Sequence, residues 1–346
     1  MNAMQFELAG APHLPASNTV GQVMRQVLYA LVPAIAAHWW FFGWGILFQI
    51  VLAVGFAVLF EAVMLRLRHR PIQLFLADYS AVVTGVLFAL CMPPLAPWWI
   101  AAIGMLFAIV IAKHLYGGLG FNLFNPAMVG FAAVIIAFPI DLSNWLTPRQ
   151  ISPGLPGLAE TARAIFTGTL SNALSWDALS QATPLDALRS GVQDNLLVTE
   201  IRQDPIFGDF GGLGWEWIAN FYAIGGLWLI YKRVITWHVP VAVLVTVIVL
   251  TTPLWLLGPD TNPSPPQHIF SGALVLAAFF IATDPVSGCS TLRGKLILGA
   301  GVAVLTLAIR RFGGYPDGVA FAILLMNMAA PLIDRYTRPR TYGHRQ

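Results

Sequence analysis

Residues Trp44–Leu65 read WGILFQIVLAVGFAVLFEAVML, an apolar run whose one charged side chain is Glu61, and the basic residues Arg66, Arg68 and Arg70 follow at once. An α-helix rises about 1.5 Å per residue, so about 20 apolar residues cross the roughly 30 Å of hydrocarbon in a bilayer. The run is long enough to span, and its basic end is of the kind that stays on the cytoplasmic side. Nine further segments read the same way: Val27–Phe42 before it, and Leu74–Met92, Trp98–Ala112 and Asn125–Phe138 after it. Beyond a polar stretch come Trp215–Tyr231, Val234–Thr251, Ile269–Ala282, Leu296–Ile309 and Gly318–Ile333. The pattern predicts an all-α polytopic membrane protein of about ten transmembrane helices.

Composition agrees. The chain is 57% hydrophobic and 10% charged, against about 25% charged in a soluble domain, and its mean hydropathy is +0.71. The formal charge of +3 fits basic residues held at one membrane face and calls for no nucleic-acid partner. Cys91 and Cys289 are the two cysteines. With neither a CxxC pair nor a Cys/His cluster, no zinc or iron–sulfur site is expected. Residues 1–24 lack the basic start and short apolar core of a cleaved leader.

With the N-terminus inside, the inner loops collect Arg25, Arg66, Arg68, Arg70, Lys113, Lys232, Arg233, Arg293, Lys295, Arg335, Arg338, Arg340 and Arg345, 13 of the 19 basic residues. Both termini are then cytoplasmic in a multi-pass protein of the bacterial inner membrane. The expected organisation is a cytoplasmic segment (1–26), five spans (27–138), a periplasmic loop (139–214), five more spans (215–334) and a basic tail (335–346). The loop holds 8 of the 16 acidic residues. It is far longer than an ordinary connector of about 4–6 residues, and Trp145, Leu146, Ile165, Phe166, Leu170, Leu174 and Trp176 favour a folded cap.

A weak internal repeat ties the halves. Shifted by 191 positions, Tyr79–Pro94 lies on Phe270–Pro285, with Ser80 on Ser271, Phe88 on Phe279 and Pro94 on Pro285. Tyr116-Gly117-Gly118 resembles Phe312-Gly313-Gly314. Five spans per half is an odd number, so the two five-helix repeats are expected to be inverted. Short, interrupted spans at matching positions of two such halves point to a central ligand site.

The loop carries Asp177-Ala178-Leu179-Ser180-Gln181-Ala182-Thr183-Pro184-Leu185. Read alone, this is a capped turn whose Thr183 is held extended by the following proline. It also resembles the flavinylation motif of membrane flavoproteins, in which Asp, two spacers, Ser or Thr, usually Gly, Ala and Thr follow in order; here Gln181 stands in the Gly position. Further stretches resemble the RnfD component of the Rnf complex and its cousin, the NqrB component of the sodium-pumping NADH:quinone reductase. They are Gly117–Asn122, Asn125-Pro126-Ala127, Pro184–Leu188, Ala282–Val286, Arg293–Leu296, Arg311–Phe321 and Pro331–Arg340. The resemblance covers essentially the whole chain.

The resemblance implies a subunit of a translocase that couples electron transfer between NADH and ferredoxin to movement of Na⁺ or H⁺, alongside the other Rnf-type subunits, those of the A, B, C, E and G types. It implies FMN bound covalently through a phosphoester to Thr183, with Asp177, Ser180 and Ala182 completing the motif. It also implies a second flavin, riboflavin, among the spans, although no motif identifies its site. No catalytic triad, nucleotide-phosphate loop or metal cluster is present, so NADH would bind elsewhere in the complex. The alternative reading is an inverted-repeat channel or secondary transporter whose outer loop is a lid; bound flavin discriminates the two.

Ionisable and polar residues within or beside spans complete the candidates. Asp78, Asn122, Asn125, Asp284 and Asp317 are candidate flavin or ion contacts, with helix capping as the plainer role for the two aspartates beside proline turns, Asp284 and Asp317. Glu61 is expected to pair with the Arg66–Arg68 cluster. His38, beside Trp39-Trp40, reads as interfacial. Arg310 and Arg311 read as boundary anchors or as partners of the FMN phosphate.

Overall fold

The structure, a computed structural model, describes residues 19–152, 154–170, 175–315 and 317–339, with the side chain of Asp177 outside the description. The first half comprises α1 (Val20–Phe42), α2 (Gly45–Leu67), α3 (Ile72–Leu76), α4 (Ser80–Ala89), α5 (Trp98–Met105), which continues as a π-helix over Leu106–His114, and α6 (Pro126–Ala137). The loop contributes α7 (Pro139–Ser143), β1 (Trp145–Leu146), α8 (Leu158–Thr167), α9 (Trp176–Leu179), β2 (Ser180–Gln181), α10 (Pro184–Gln193) and α11 (Val198–Ile201). The second half comprises α12 (Trp215–Tyr231), α13 (His238–Leu257), α14 (Pro265–Phe270), α15 (Leu274–Leu276), which runs into a π-helical turn over Ala277–Ile281, α16 (Leu292–Phe312) and α17 (Val319–Thr337).

Local chemistry sets the boundaries. Thr19 and Gln22 form a capping box at the start of α1, satisfying orphan N–H groups reciprocally. Asn125 caps α6 through Met128 N, with Pro126 in the first turn where its missing N–H costs nothing. Thr291 caps α16. The turn between α1 and α2 is only Gly43-Trp44, and Gly43 adopts φ 77°, a conformation open to glycine without strain.

Among the described residues, five helices, α1, α2, α13, α16 and α17, are long and apolar enough to cross a membrane, and α4, the Trp98–His114 segment and α6 are shorter apolar helices. This is an all-α polytopic membrane protein. The predicted segment Leu74–Met92 is broken: Tyr79 turns left-handed at φ 61°, and Asp78 accepts from Ser80 N and Oγ to start α4 afresh. The predicted segment Ile269–Ala282 is broken in the same way at Gly272, φ 70°. Breaks of this kind survive among spans where the freed backbone faces protein rather than lipid.

Helix α1 packs along α12, α2 along α4 and α5, α13 along α16, and α6 against α17. Gly225 lets α12 close on α1, since a Cβ there would stand 2.1 Å from Ala30 O. Small residues at a crossing are how spans approach closely without a hydrophobic drive. The loop is folded. Strands β1 and β2 pair antiparallel, Trp145 opposite Gln181. Leu142, Leu146, Ile165 and Leu179 join the main core, while Leu188, Val198 and Ile201 form a small core of their own with Phe207.

Candidate functional site

Thr183 is the N-cap of α10. Its backbone is extended at φ −67°, ψ 157°, Pro184 occupies the first turn, and its Oγ1 accepts from Asp186 N at 3.2 Å. Ser180 is structural: its hydroxyl donates to Trp176 O at 2.8 Å, and its strand pairs with β1. That pairing brings Trp145 from the far side of the loop to the mouth beside Thr183. Ala182 is exposed; Asp177 lies in α9, its side chain outside the described residues.

Thr183 is half-buried where two cavities meet. The outer, of about 300 Å³, is lined by Trp145, Thr183, Asp186, Arg189, Gly314 and Tyr315 among others. The inner, of about 120 Å³, reaches from Thr183 past Trp145 and Trp215 to His38, Tyr222 and Asp317. The start of a ten-residue helix, with Arg189 on the wall, favours an anionic group bound there. Arg189 also donates to Gly314 O, which ties α10 to the turn before α17. Sequence reasoning missed Arg189. The signal was there: Leu185 and Leu188 mark the buried face of α10, which leaves Arg189 at its edge.

Asp317 and Arg310 pair with each other. Arg310 Nε and Nη2 each lie 3.2 Å from Asp317 Oδ1, and its other contacts are His268 O and Ser271 O. Asp317 Oδ2 accepts from Ala273 N at 2.9 Å, holding the broken segment against α17. Arg310 is therefore committed, and Arg311 turns to Asn262 Oδ1 instead.

At the other end of the bundle, a third cavity of about 240 Å³ is lined by Ser80, Lys113, Asn122, Asn125, Phe279, Phe280, Asp284 and Lys295 among others. Three of the predicted polar residues thus meet, one from near each broken or capped segment. The Asn125 Oδ1 accepts from Met128 N as the cap of α6, and its backbone N–H donates to Asn327 Oδ1 at 3.0 Å. Asn122 Nδ2 donates to Phe124 O, while its buried Oδ1 has no partner among the described residues. A buried acceptor left open in this way has room for a donor from water or a bound group. Asp284 accepts from Ser287 Oγ and Val286 N. Burial pushes its carboxyl above the usual range, and those hydrogen bonds pull the other way. Asp78 falls outside this lining and accepts from Ser80 N and Oγ at the start of α4.

Glu61 does not pair with Arg66 or Arg68. Its carboxylate lies 2.7 Å from Lys113 Nζ and 3.2 Å from His114 Nε2, with all three side chains at most 3% exposed. Arg66, five positions on, turns away from Glu61, and Arg68, seven positions on, lies two turns or about 10 Å further along the helix, beyond the i+3 and i+4 neighbours that pair directly. Lys113 also donates to Ser80 Oγ at 2.8 Å, so the pair reaches the cavity wall and, through Ser80, Asp78. His38 is buried, with its Nε2 3.0 Å from Tyr222 OH.

Comparison with known proteins bears on the family of the chain. The model of a family described as NQR2, RnfD, RnfE matches residues 7–343. The D-type subunit of the ion-translocating oxidoreductase complex of Escherichia fergusonii is 48% identical over 351 residues, covering 99% of this chain and 100% of that protein. The protein of the same name from Escherichia coli O127:H6 is also 48% identical, and that from Citrobacter koseri is 47% identical over 350 residues, with the same coverage.

Proposed function

Because the chain belongs to the NQR2, RnfD, RnfE family, we propose that it is the D-type membrane subunit of an ion-translocating oxidoreductase complex, a translocase that couples electron transfer between NADH and ferredoxin to Na⁺ or H⁺ movement. It sits in the bacterial inner membrane with both termini cytoplasmic, works with the other Rnf-type subunits, and carries FMN esterified to Thr183 in a periplasmic loop. Its spans form two inverted five-helix repeats. The packing supports that arrangement: α1 meets α12 and α6 meets α17, the first and fifth members of each half. The breaks at Tyr79 and Gly272 fall within two positions of each other in the 191-residue alignment.

The setting of Thr183 carries this reading. A hydroxyl at the start of α10 opens onto a 300 Å³ cavity with Arg189 and Trp145 on its walls. The helix start and Arg189 suit a phosphoester, and the Trp145 ring suits a planar partner. Bound flavin supplies one- and two-electron redox chemistry; the protein orients it and controls access. Pro184 fixes the extended Thr183, β1–β2 sets the distance to Trp145, and the tether prevents loss into a compartment without a reserve.

The Asn122–Asn125–Asp284 cavity takes the second, non-covalent flavin. The open acceptor of Asn122 and the apolar wall of Phe279 and Phe280 support this, since few placed polar groups in an apolar pocket are the usual design of such sites. The test of the covalent site is a denaturing gel viewed under ultraviolet light, with the flavin transferase co-expressed. Wild type gives a fluorescent band, and Thr183→Ala gives none. A dark wild-type band would leave the loop as a lid and favour the transporter reading.

A further inference from the structure

A fourth cavity adjoins the Thr183 site, with Arg189 on the wall between the two. It measures about 720 Å³ and lies at the loop-bearing end of the bundle between α13, α16 and α10. Its walls change character in order. Val249, Leu250 and Leu254 of α13 face Leu307 and Ala308 of α16, two of the helices long and apolar enough to span. Leu188 and Val192 of α10 close it from the loop side, and the rim holds Arg189, Arg311, Thr261, Asn262 and His268.

Three groups on the rim suit an anionic headgroup, although Arg189 also faces the Thr183 cavity. Among the described residues, neither Arg189 nor Arg311 is paired with a carboxylate; Arg189 donates to Gly314 O and Arg311 to Asn262 Oδ1, both neutral. His268 Nδ1 is buried and has no partner among the described residues. The apolar walls are bare as well: Leu250 is 40% exposed, and Phe312, at the mouth, is 81% exposed. Cations above an apolar trough match one amphiphile in particular, with a phosphate at one end and a hydrocarbon chain at the other.

We propose that this groove is a built site for one anionic phospholipid of the leaflet on the loop side, its headgroup held by Arg189 and Arg311 and an acyl chain laid between α13 and α16. The volume lies within the 300–1,000 Å³ of ordinary ligand sites. Arg311, joined by Arg189 at the edge shared with the Thr183 cavity, favours a headgroup of net negative charge over a zwitterion. Helix α10 begins at Thr183, so the lipid would clamp the helix that carries the modified residue to the membrane, although the lipid site does not depend on that modification.

The test uses the full chain purified in detergent and delipidated, with lipid counted by native mass spectrometry as phosphatidylglycerol or phosphatidylcholine is added back. Wild type should retain about one phosphatidylglycerol per chain and prefer it to phosphatidylcholine. Each arginine near a charged headgroup is worth about 5-fold, so Arg189→Gln with Arg311→Gln should weaken binding about 30-fold. Arg311→Lys, which keeps the charge, should retain most of the affinity, and separates loss of charge from loss of fold. Ala308→Trp should exclude the acyl chain whatever the headgroup. Equal affinity for the two lipids, or retention unchanged in both the double arginine variant and Ala308→Trp, would overturn the proposal. So would a polypeptide from elsewhere in the complex, rather than lipid, cross-linking to a cysteine placed at Ala308.

Discussion

Replacing Lys113 by Met leaves Glu61 buried with only His114 near it. The two charges lie 2.7 Å apart, at 2% and 3% exposure. At an effective dielectric of about 20 their attraction is roughly 6 kcal/mol, most of it offset by the cost of taking both out of water. Removing one partner removes the attraction and keeps the other's desolvation cost, which destabilises by about 3–5 kcal/mol. In a chain of this size that lowers the melting midpoint by about 5–10 °C. Glu61→Gln should cost a similar amount, because Lys113 then keeps only Ser80 Oγ. The double variant should recover most of the loss. The assay is thermal unfolding in detergent at one fixed scan rate, since membrane proteins seldom refold reversibly. Single variants that melt within about 2 °C of wild type, or a double variant worse than the sum of the singles, would refute the buried pair.

Three further outcomes follow from the same geometry. Gly225→Leu should sharply reduce folded protein, because even a Cβ stands 2.1 Å from Ala30 O; unchanged yield and elution would deny the close α1–α12 crossing. Asn122→Ala should lower the flavin released on denaturation while leaving the covalent band intact, and equal release would remove Asn122 from the cavity's ligand set. Asp284 has a raised folded-state pKa, so ionisation costs stability as pH rises through that value and costs nothing below its ordinary value. Asp284→Asn should therefore raise the melting midpoint at pH 8, with the gain fading as pH falls; a gain that grows toward acid would reverse the assignment.

Much of the fold was legible because lipid imposes a coarse code. Apolar runs near 20 residues and clustered arginines mark spans and faces without any tertiary knowledge. The breaks were legible in kind, as short segments flanked by Gly and Pro, but their position at Tyr79 required knowing that Asp78 would cap a new helix. The site residues divide on similar lines. Thr183 stood out as a candidate by its motif, and Asn122, Asn125 and Asp284 stood out only as candidate polar contacts; that these three line one cavity took the fold to see. The Glu61–Lys113 pair joins positions 52 apart on different helices, and His38–Tyr222 joins positions 184 apart. Spacing along one helix cannot show such pairs. The nearest basic residues in sequence were a misleading guide for that reason.

The most direct measurement is the mass of the peptide containing Thr183, released by proteolysis from protein made with the flavin transferase. The predicted mass is that of the peptide plus FMN less one water, with fragmentation placing the addition on Thr183. Thr183→Ser should accept the same addition and Thr183→Ala none. An unmodified wild-type peptide, or the addition on Ser180 instead, contradicts the assignment.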